Sequence, residues 1–248
     1  MPKKILLIGE SWLIHTQETK GFDVFTFDSY ETATDWIEKA VTDGGMEFHH
    51  LPSHLVEKNF PATQEELNSY DAILLSDVGA NTFQLPMSVF QQSKKCPNKL
   101  HMLEAYTKNG GGLGMIGGYL SFMGIQGRGA YKYTAIDQVL PVELLPGDDR
   151  MEHPEGADIQ ITAPGHPVFH GMPAEGWPQI LGYNKLVAKE GAEVVATCCG
   201  DPFITLGTYG KGRTLAFATD CAPHWCPFEF CDWDGYGILW RNMIHWLI

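Results

Sequence analysis

Apolar residues fall into two patterns along the chain. Four short runs, Ile5–Gly9, Ala72–Ser76, Gly112–Ile116 and Thr214–Thr219, are nearly continuous and end in a small or polar residue. Runs of this kind predict parallel strands covered on both faces. Between the first two, Glu31–Val41 carries Ala33, Trp36, Ile37, Ala40 and Val41 at helical spacing, and Gly44-Gly45 stops it. Two more helices are predicted over Lys99–Lys108, ending at Asn109-Gly110, and over the closing segment Gly237–Ile248. From about residue 131 to 190 the chain is irregular and rich in Pro and Gly, which predicts short strands and long loops. The sheet resumes at Glu193–Thr197 and Ile204–Tyr209, and Gly210-Lys211-Gly212-Arg213 makes a hairpin turn into the last strand. This alternation predicts one α/β domain over 1–248, a three-layer sandwich on a mostly parallel sheet with an insertion near 131–190. Its ligand site is expected at the carboxyl edge of the sheet.

Composition narrows the partners. Thirty acidic against 17 basic side chains give a formal charge of −13. That balance repels phosphate backbones and anionic lipid, so neither nucleic acid nor a membrane is expected. The apolar run at the N-terminus is too short for a signal-peptide core or a membrane span. The six cysteines, in a chain without an export signal, read as free thiols of a cytoplasmic protein. A homo-oligomer is left open.

Residues just past the strand ends carry the candidate chemistry. Glu10, Asp77 and Asp220 follow three different strands and, with His224, are expected to converge. Carboxylates beside an imidazole suit acid–base work or the binding of a polyol, with Glu10, Asp220 and His224 as the catalytic candidates. Trp12, Tyr119 and Trp225 supply flat walls on which a sugar ring stacks, and Ser11 and Asn81 add polar contacts. Gly117-Gly118 has two readings: backbone donors for an anion or carbonyl oxygen, or a tight turn with nothing bound. Ser121 is either a substitute nucleophile or a helix cap. Gly112 to Gly117 also satisfies G-x-G-x-x-G, but its residues form the strand itself and Asp137, about 20 positions on, lies in the inserted region, so no dinucleotide or other cofactor is expected. Cys221, His224, Cys226 and Cys231 have zinc-like spacing. They lie among Trp225, Phe228, Phe230 and Trp233, where buried thiols pack as small hydrophobes, and no metal is expected. Asp148-Asp149-Arg150 reads as a solvated, loop-fixing ion pair.

The stretch Gly110 to Gly118 resembles the nucleophile-elbow strand of class I glutamine amidotransferases, a flavodoxin-like superfamily with Gly-x-Cys-x-Gly at this place. More closely, the chain resembles a cytoplasmic glutamine amidotransferase-like branch related to trehalose-utilisation-type proteins. The matching residues are Gly9–Trp12, Lys20–Asp23, Gly117–Tyr119, Leu140–Val142, Asp148–Arg150, Leu181–Asn184, Gly210–Arg213 and Pro223–Trp225. The resemblance spans nearly the whole chain and implies the fold, while the branch's name rests on fold rather than chemistry. Aligning Gly114 and Gly118 with the motif's glycines puts Ile116 where the nucleophile belongs, and an isoleucine cannot form a thioester. The expected late His-x-Glu is replaced by Asp220 to His224, and His153-Pro154-Glu155 lies in the irregular insertion. Two classes remain: an enzyme acting on a small polar metabolite, carbohydrate included, or a binding or assembly protein on the same scaffold. Neither is a standard glutaminase.

Overall fold

The computed structural model describes residues 2–173 and 176–248. Its first strand, β1 (Lys4–Gly9), is followed by a long antiparallel ribbon, β2 (Ser11–Lys20) and β3 (Asp23–Thr32). Helix α1 (Asp35–Asp43), strand β4 (Glu47–Leu51) and the short helices α2 (Val56–Asn59) and α3 (Gln64–Leu67) lead to β5 (Ala72–Ser76). Short helices α4 (Ala80–Gln84) and α5 (Met87–Phe90) precede α6 (Lys99–Lys108) and β6 (Gly112–Ile116). Then come α7 (Ala135–Val139), β7 (Val142–Glu143), β8 (Arg150–Ala157), β9 (Ile159–Ile161), β10 (Ile180–Asn184) and β11 (Val187–Ala188). The chain closes with β12 (Glu193–Cys198), β13 (Asp201–Tyr209), β14 (Gly212–Phe217), α8 (Phe228–Cys231) and α9 (Asp234–Leu247).

Eight strands form the main sheet in the order β4-β1-β5-β6-β14-β13-β12-β9. Neighbours from β4 to β14 pair in parallel, and β13, β12 and β9 extend the sheet by antiparallel pairing. The central strands are apolar because both faces are covered: Ile5, Leu7, Ile8, Ile73, Leu74, Leu113, Met115 and Leu215 are fully buried. Helices α1 and α9 pack together on one side, while α6 packs with α3, α4 and α7 on the other. Gly112 and Gly114 lie under α9, where an added Cβ would meet Leu247. This is the flavodoxin-like three-layer sandwich. No helix among the described residues is long and apolar enough to cross a membrane.

Several expectations shift. The first helix starts at Asp35 rather than Glu31, because Glu31 and Thr32 finish the ribbon. The last strand ends at Phe217, two residues early. The insertion is more ordered than short strands and loops suggest: β8 and β10 pair over Arg150–Ala157, and β9 joins the main sheet. No helix begins at Gly118; the next helical turn is a 3-10 turn at Ile125–Gly127.

Candidate functional site

Parallel pairing aligns the carboxyl ends of four strands, with Gly9 opposite Ser76, Ser76 opposite Ile116 and Ile116 opposite Phe217. The residue after β1 is Glu10 and the residue after β5 is Asp77, and both take left-handed backbone conformations, φ 46° and 43°. Non-glycine residues there are strained, and such strain clusters at working sites. The turn brings both side chains over the sheet edge rather than along it. Gly118, at φ 138°, closes the floor: a Cβ there would stand 2.8 Å from Asp220 Oδ1 and 3.0 Å from Asp77 Oδ1. Only glycine lets the two carboxylates approach this closely.

The resulting cleft, about 350 Å³, is lined by Glu10, Trp12, Asp77, Tyr119, Asp220, Ala222, Pro223 and His224. Glu10 is buried and accepts a 2.5 Å hydrogen bond from Ser76 Oγ on its Oε2, with Cys221 Sγ at 3.6 Å from the same oxygen. Burial lifts its carboxyl to about 8, and the charges of Asp77 and Asp220 push the same way. Asp77 rises to about 6, by burial first and then by the charge of Asp220, although Leu120 N–H donates to its Oδ1. Asp220 is raised by burial and pulled back by His224, whose Nδ1 lies 2.7 Å from Asp220 Oδ2. That hydrogen bond raises His224 in turn, so the half-exposed imidazole keeps its proton to higher pH than a free one. One edge of the sheet thus holds a carboxyl protonated at neutral pH beside an imidazole hydrogen-bonded to a second carboxyl group.

The wall beside His224 is aromatic. Its ring stacks on Trp225 at 5.5 Å and meets the Tyr119 ring edge-on at 4.6 Å. Glu152 holds both aromatics, accepting Tyr119 Oη–H on Oε1 and Trp225 Nε1–H on Oε2. The Arg150 guanidinium covers the Tyr119 ring at 5.0 Å. Gly182 leaves room for the indole, since a Cβ there would sit 2.3 Å from Trp225 Nε1.

Of the sequence candidates, Glu10, Trp12, Asp77, Tyr119, Asp220 and His224 reach the cleft, and Gly118 forms its floor. Trp225 is buried behind His224. Ser11 lines an adjoining cavity and uses its Oγ to accept Ser53 N–H. Asn81 is exposed on α4 and lines neither cavity, although its neighbour Thr82 on the same helix lines the adjoining one. Ser121 is buried and accepts Asp77 N–H on its Oγ, so it shapes the Asp77 turn, and no helix starts there for it to cap. Gly117 N–H donates to Phe217 O and Gly118 N–H to Asn184 Oδ1. Both donors are taken, which favours the tight-turn reading over an anion cradle. Asp148 and Arg150 do form an ion pair, but Asp149 is buried rather than solvated, accepting Met123 N–H, Gly124 N–H and Asn184 Nδ2–H. Cys226 Sγ donates to Asp220 O and Cys231 Sγ to Cys226 O, so these thiols face carbonyls rather than a common centre. No group of three or more His, Cys, Asp or Glu side chains among the described residues is arranged around a metal position.

Sequence reasoning missed Arg150 and Glu152 as wall supports, Asn184 as the clamp on Gly118, and Ser76 beneath Glu10. Asp148–Arg150 and Leu181–Asn184 were visible as motifs, but only their pairing in β8 and β10 aims them at the cleft. Clefts of similar size lie at the amino edge around Asp71 and Tyr106 and between α1 and α9, and neither is lined by a histidine.

The family model described as "Putative glutamine amidotransferase" matches residues 4–248. The chain belongs to this glutamine amidotransferase-like family. Among solved structures, two cytoplasmic proteins of Salmonella typhimurium are each 45% identical to it over 98% of the chain. One is matched over 98% of its own length with a TM-score of 0.94 and the other over 99% with 0.93. A ThuA-like protein of Bacteroides uniformis shares the fold at 14% identity, TM-score 0.55, over 99% of this chain and 91% of that one. No curated protein matches the sequence. In this amidotransferase-like chain Ile116 is fully buried at the end of β6, and Cys221 is buried beneath Glu10, where desolvation first and the Glu10 charge second hold it as the thiol.

Proposed function

We propose that this cytoplasmic amidotransferase-like protein is an acid–base enzyme for a small neutral polyhydroxylated metabolite, a carbohydrate among them, and not a glutaminase. The observation that carries the reading is the divergence of protonation at one edge: Glu10 up to about 8, Asp77 to about 6, and His224 raised by its hydrogen bond to Asp220. Titratable groups driven apart by their surroundings are how a site keeps an acid and a base available together. Protonated Glu10 donates, Asp77 accepts, and His224 faces the open side of the cleft as the proton carrier. Hydroxyl groups suit carboxylates, and Trp12 and Tyr119 offer faces to a pyranose ring. A phosphorylated substrate is disfavoured by three carboxyl groups and a chain charge of −13. Glutamine hydrolysis lacks a nucleophile, since Ile116 has no ionisable atom and Cys221 is an inert thiol. The two Salmonella relatives' naming as cytoplasmic proteins supports the location.

The test is incubation in D2O with a panel of neutral aldoses, ketoses and polyols, followed by proton NMR for C–H exchange and new products. Exchange or turnover with wild type, lost in Glu10→Gln and His224→Asn, is the expected result. Saturation-transfer binding without any exchange across the panel would instead make the protein a binding module. Release of glutamate from glutamine at an amidotransferase's rate would sink the reading.

A further inference from the structure

A second cavity of about 320 Å³ opens beside the candidate cleft and shares two of its walls, the Trp12 indole and the Asp77 carboxyl. The rest of its lining comes from residues that do not reach the cleft, among them Leu13 on β2, Ser53 and His54 on the 3-10 turn Ser53–Leu55, and Thr82 on α4. This lining is held in place. Ser11 Oγ accepts Ser53 N–H at 2.8 Å, and the His54 ring meets the Tyr30 ring edge-on at 5.1 Å. Tyr30 stands opposite Leu13 in the β2–β3 ribbon, so the ribbon root braces the outer wall. Two polar groups are left over. Ser53 Oγ is buried and has no hydrogen-bond partner among the described residues. Native structures keep few such hydroxyls, because each gives up its hydration without replacement. Asp77 spends only Oδ1 on the protein, accepting Leu120 N–H, and among the described residues nothing donates to its Oδ2.

We infer that the adjoining cavity is a second subsite of the candidate site, and that the ligand is a neutral glycoside of two linked hydroxylated rings, one in each cavity. The inference rests on the reading that the cleft takes a polyhydroxylated metabolite, and it adds the ligand's size and the residues that select it. Each cavity alone lies near the lower end of the roughly 300–1,000 Å³ range of ligand pockets, and the two joined lie well inside it. Trp12 lines both, so one indole offers a flat apolar wall to each ring. Asp77 lines both as well, and its Oδ2 is available to a hydroxyl of either ring. A serine side chain turns between staggered wells, so a hydroxyl of the second ring can take up the orphaned Ser53 Oγ. An apolar second group would leave that oxygen unpaired and strip water from His54 and Thr82. A phosphate or carboxylate in its place would meet Asp77 and find no counter-ion, since no lysine or arginine among the described residues lines either cavity.

The test uses matched pairs, methyl hexosides against the corresponding hexosyl-hexosides, with calorimetric titration for affinity and two-dimensional NMR of the imidazoles for position. The two-ring member of a pair should bind about tenfold tighter than the one-ring member, the equivalent of one well-made buried contact. It should shift the signals of both His224 and His54, whereas the one-ring member shifts His224 alone. Thr82→Phe fills the adjoining cavity and should bring the two members to equal affinity. Ser53→Ala guards against misfolding: it removes a hydroxyl that bonds nothing, so it should melt no lower than wild type while weakening the two-ring ligand by about tenfold. Equal binding of the two members by wild type, an unmoved His54, or a two-ring advantage that survives both variants overturns the subsite and leaves the acid–base reading standing. Binding of neither ring size, with His224 unmoved throughout, overturns both.

Discussion

Replacing Glu10 by glutamine should make the fold more stable at neutral pH, by an amount that grows with pH. The folded carboxyl ionises at about 8 against an ordinary 4.5, because it is buried among other carboxyl groups. Below about 4.5 both states hold the proton and the side chain has no net effect. Between 4.5 and 8 the unfolded chain ionises first, so folding must rebind a proton and stability falls as pH rises. Above 8 the loss is complete. At pH 7 the deficit spans about 2.5 pKa units at about 1.36 kcal/mol each, or about 3 kcal/mol. Glutamine removes this titration while its carbonyl still accepts the Ser76 Oγ–H bond that Glu10 accepts now. For a chain of this size about 3 kcal/mol corresponds to roughly 6–12 °C in Tm. Thermal melts of both proteins should nearly coincide at about pH 4.5 and diverge steadily up to about pH 8. Curves separated by a constant offset, or a glutamine variant that is less stable at the alkaline end, would refute the assigned burial and ionisation of Glu10.

Gly118→Ala should abolish ligand binding and cost about 1–3 kcal/mol, since its Cβ would press on Asp220 and Asp77 at φ 138°; urea unfolding and calorimetric titration measure the two effects separately. Asn184→Ala should destabilise by about 2–4 kcal/mol, because Gly118 N–H and the buried Asp149 carboxylate each lose a partner; an unchanged urea midpoint would contradict the clamp. Asp220→Asn should lower the His224 pKa, which two-dimensional NMR of the imidazole reads directly, because the hydrogen bond to Asp220 is the main cause of its rise. Ile116→Cys should leave glutaminase activity absent in a coupled glutamate assay, since no His-x-Glu pair follows the late strand.

The parallel core was legible because burial on both faces leaves a mark in composition: Ala72–Ser76 and Gly112–Ile116 are strands with the same bounds in sequence and in structure. Glu10, Asp77 and Asp220 could be read as neighbours for the same reason, since parallel strands deliver their carboxyl ends to one edge. The ribbon escaped notice because it faces no core. Its alternation over Trp12–Lys20 and Val24–Glu31 is not sharpened by a buried side, and only Gly21 marks the turn. Asn81 stays outside both cavities because proximity in sequence to Asp77 does not say which residue of the next helix faces them; Thr82 does. Glu152 and Asn184 depend on an antiparallel pairing between segments some thirty residues apart, which no local pattern announces.

The left-handed pair at Glu10 and Asp77 has a consequence for how the sequence can drift. Each non-glycine residue in that region costs roughly 1–2 kcal/mol of backbone energy. Selection for folding alone would therefore enrich glycine at both positions, side by side on adjacent strands. A library randomised at these two codons and sorted only for soluble expression would measure that pull. The distance between its winners and the carboxylates present now is the pressure that keeps them there.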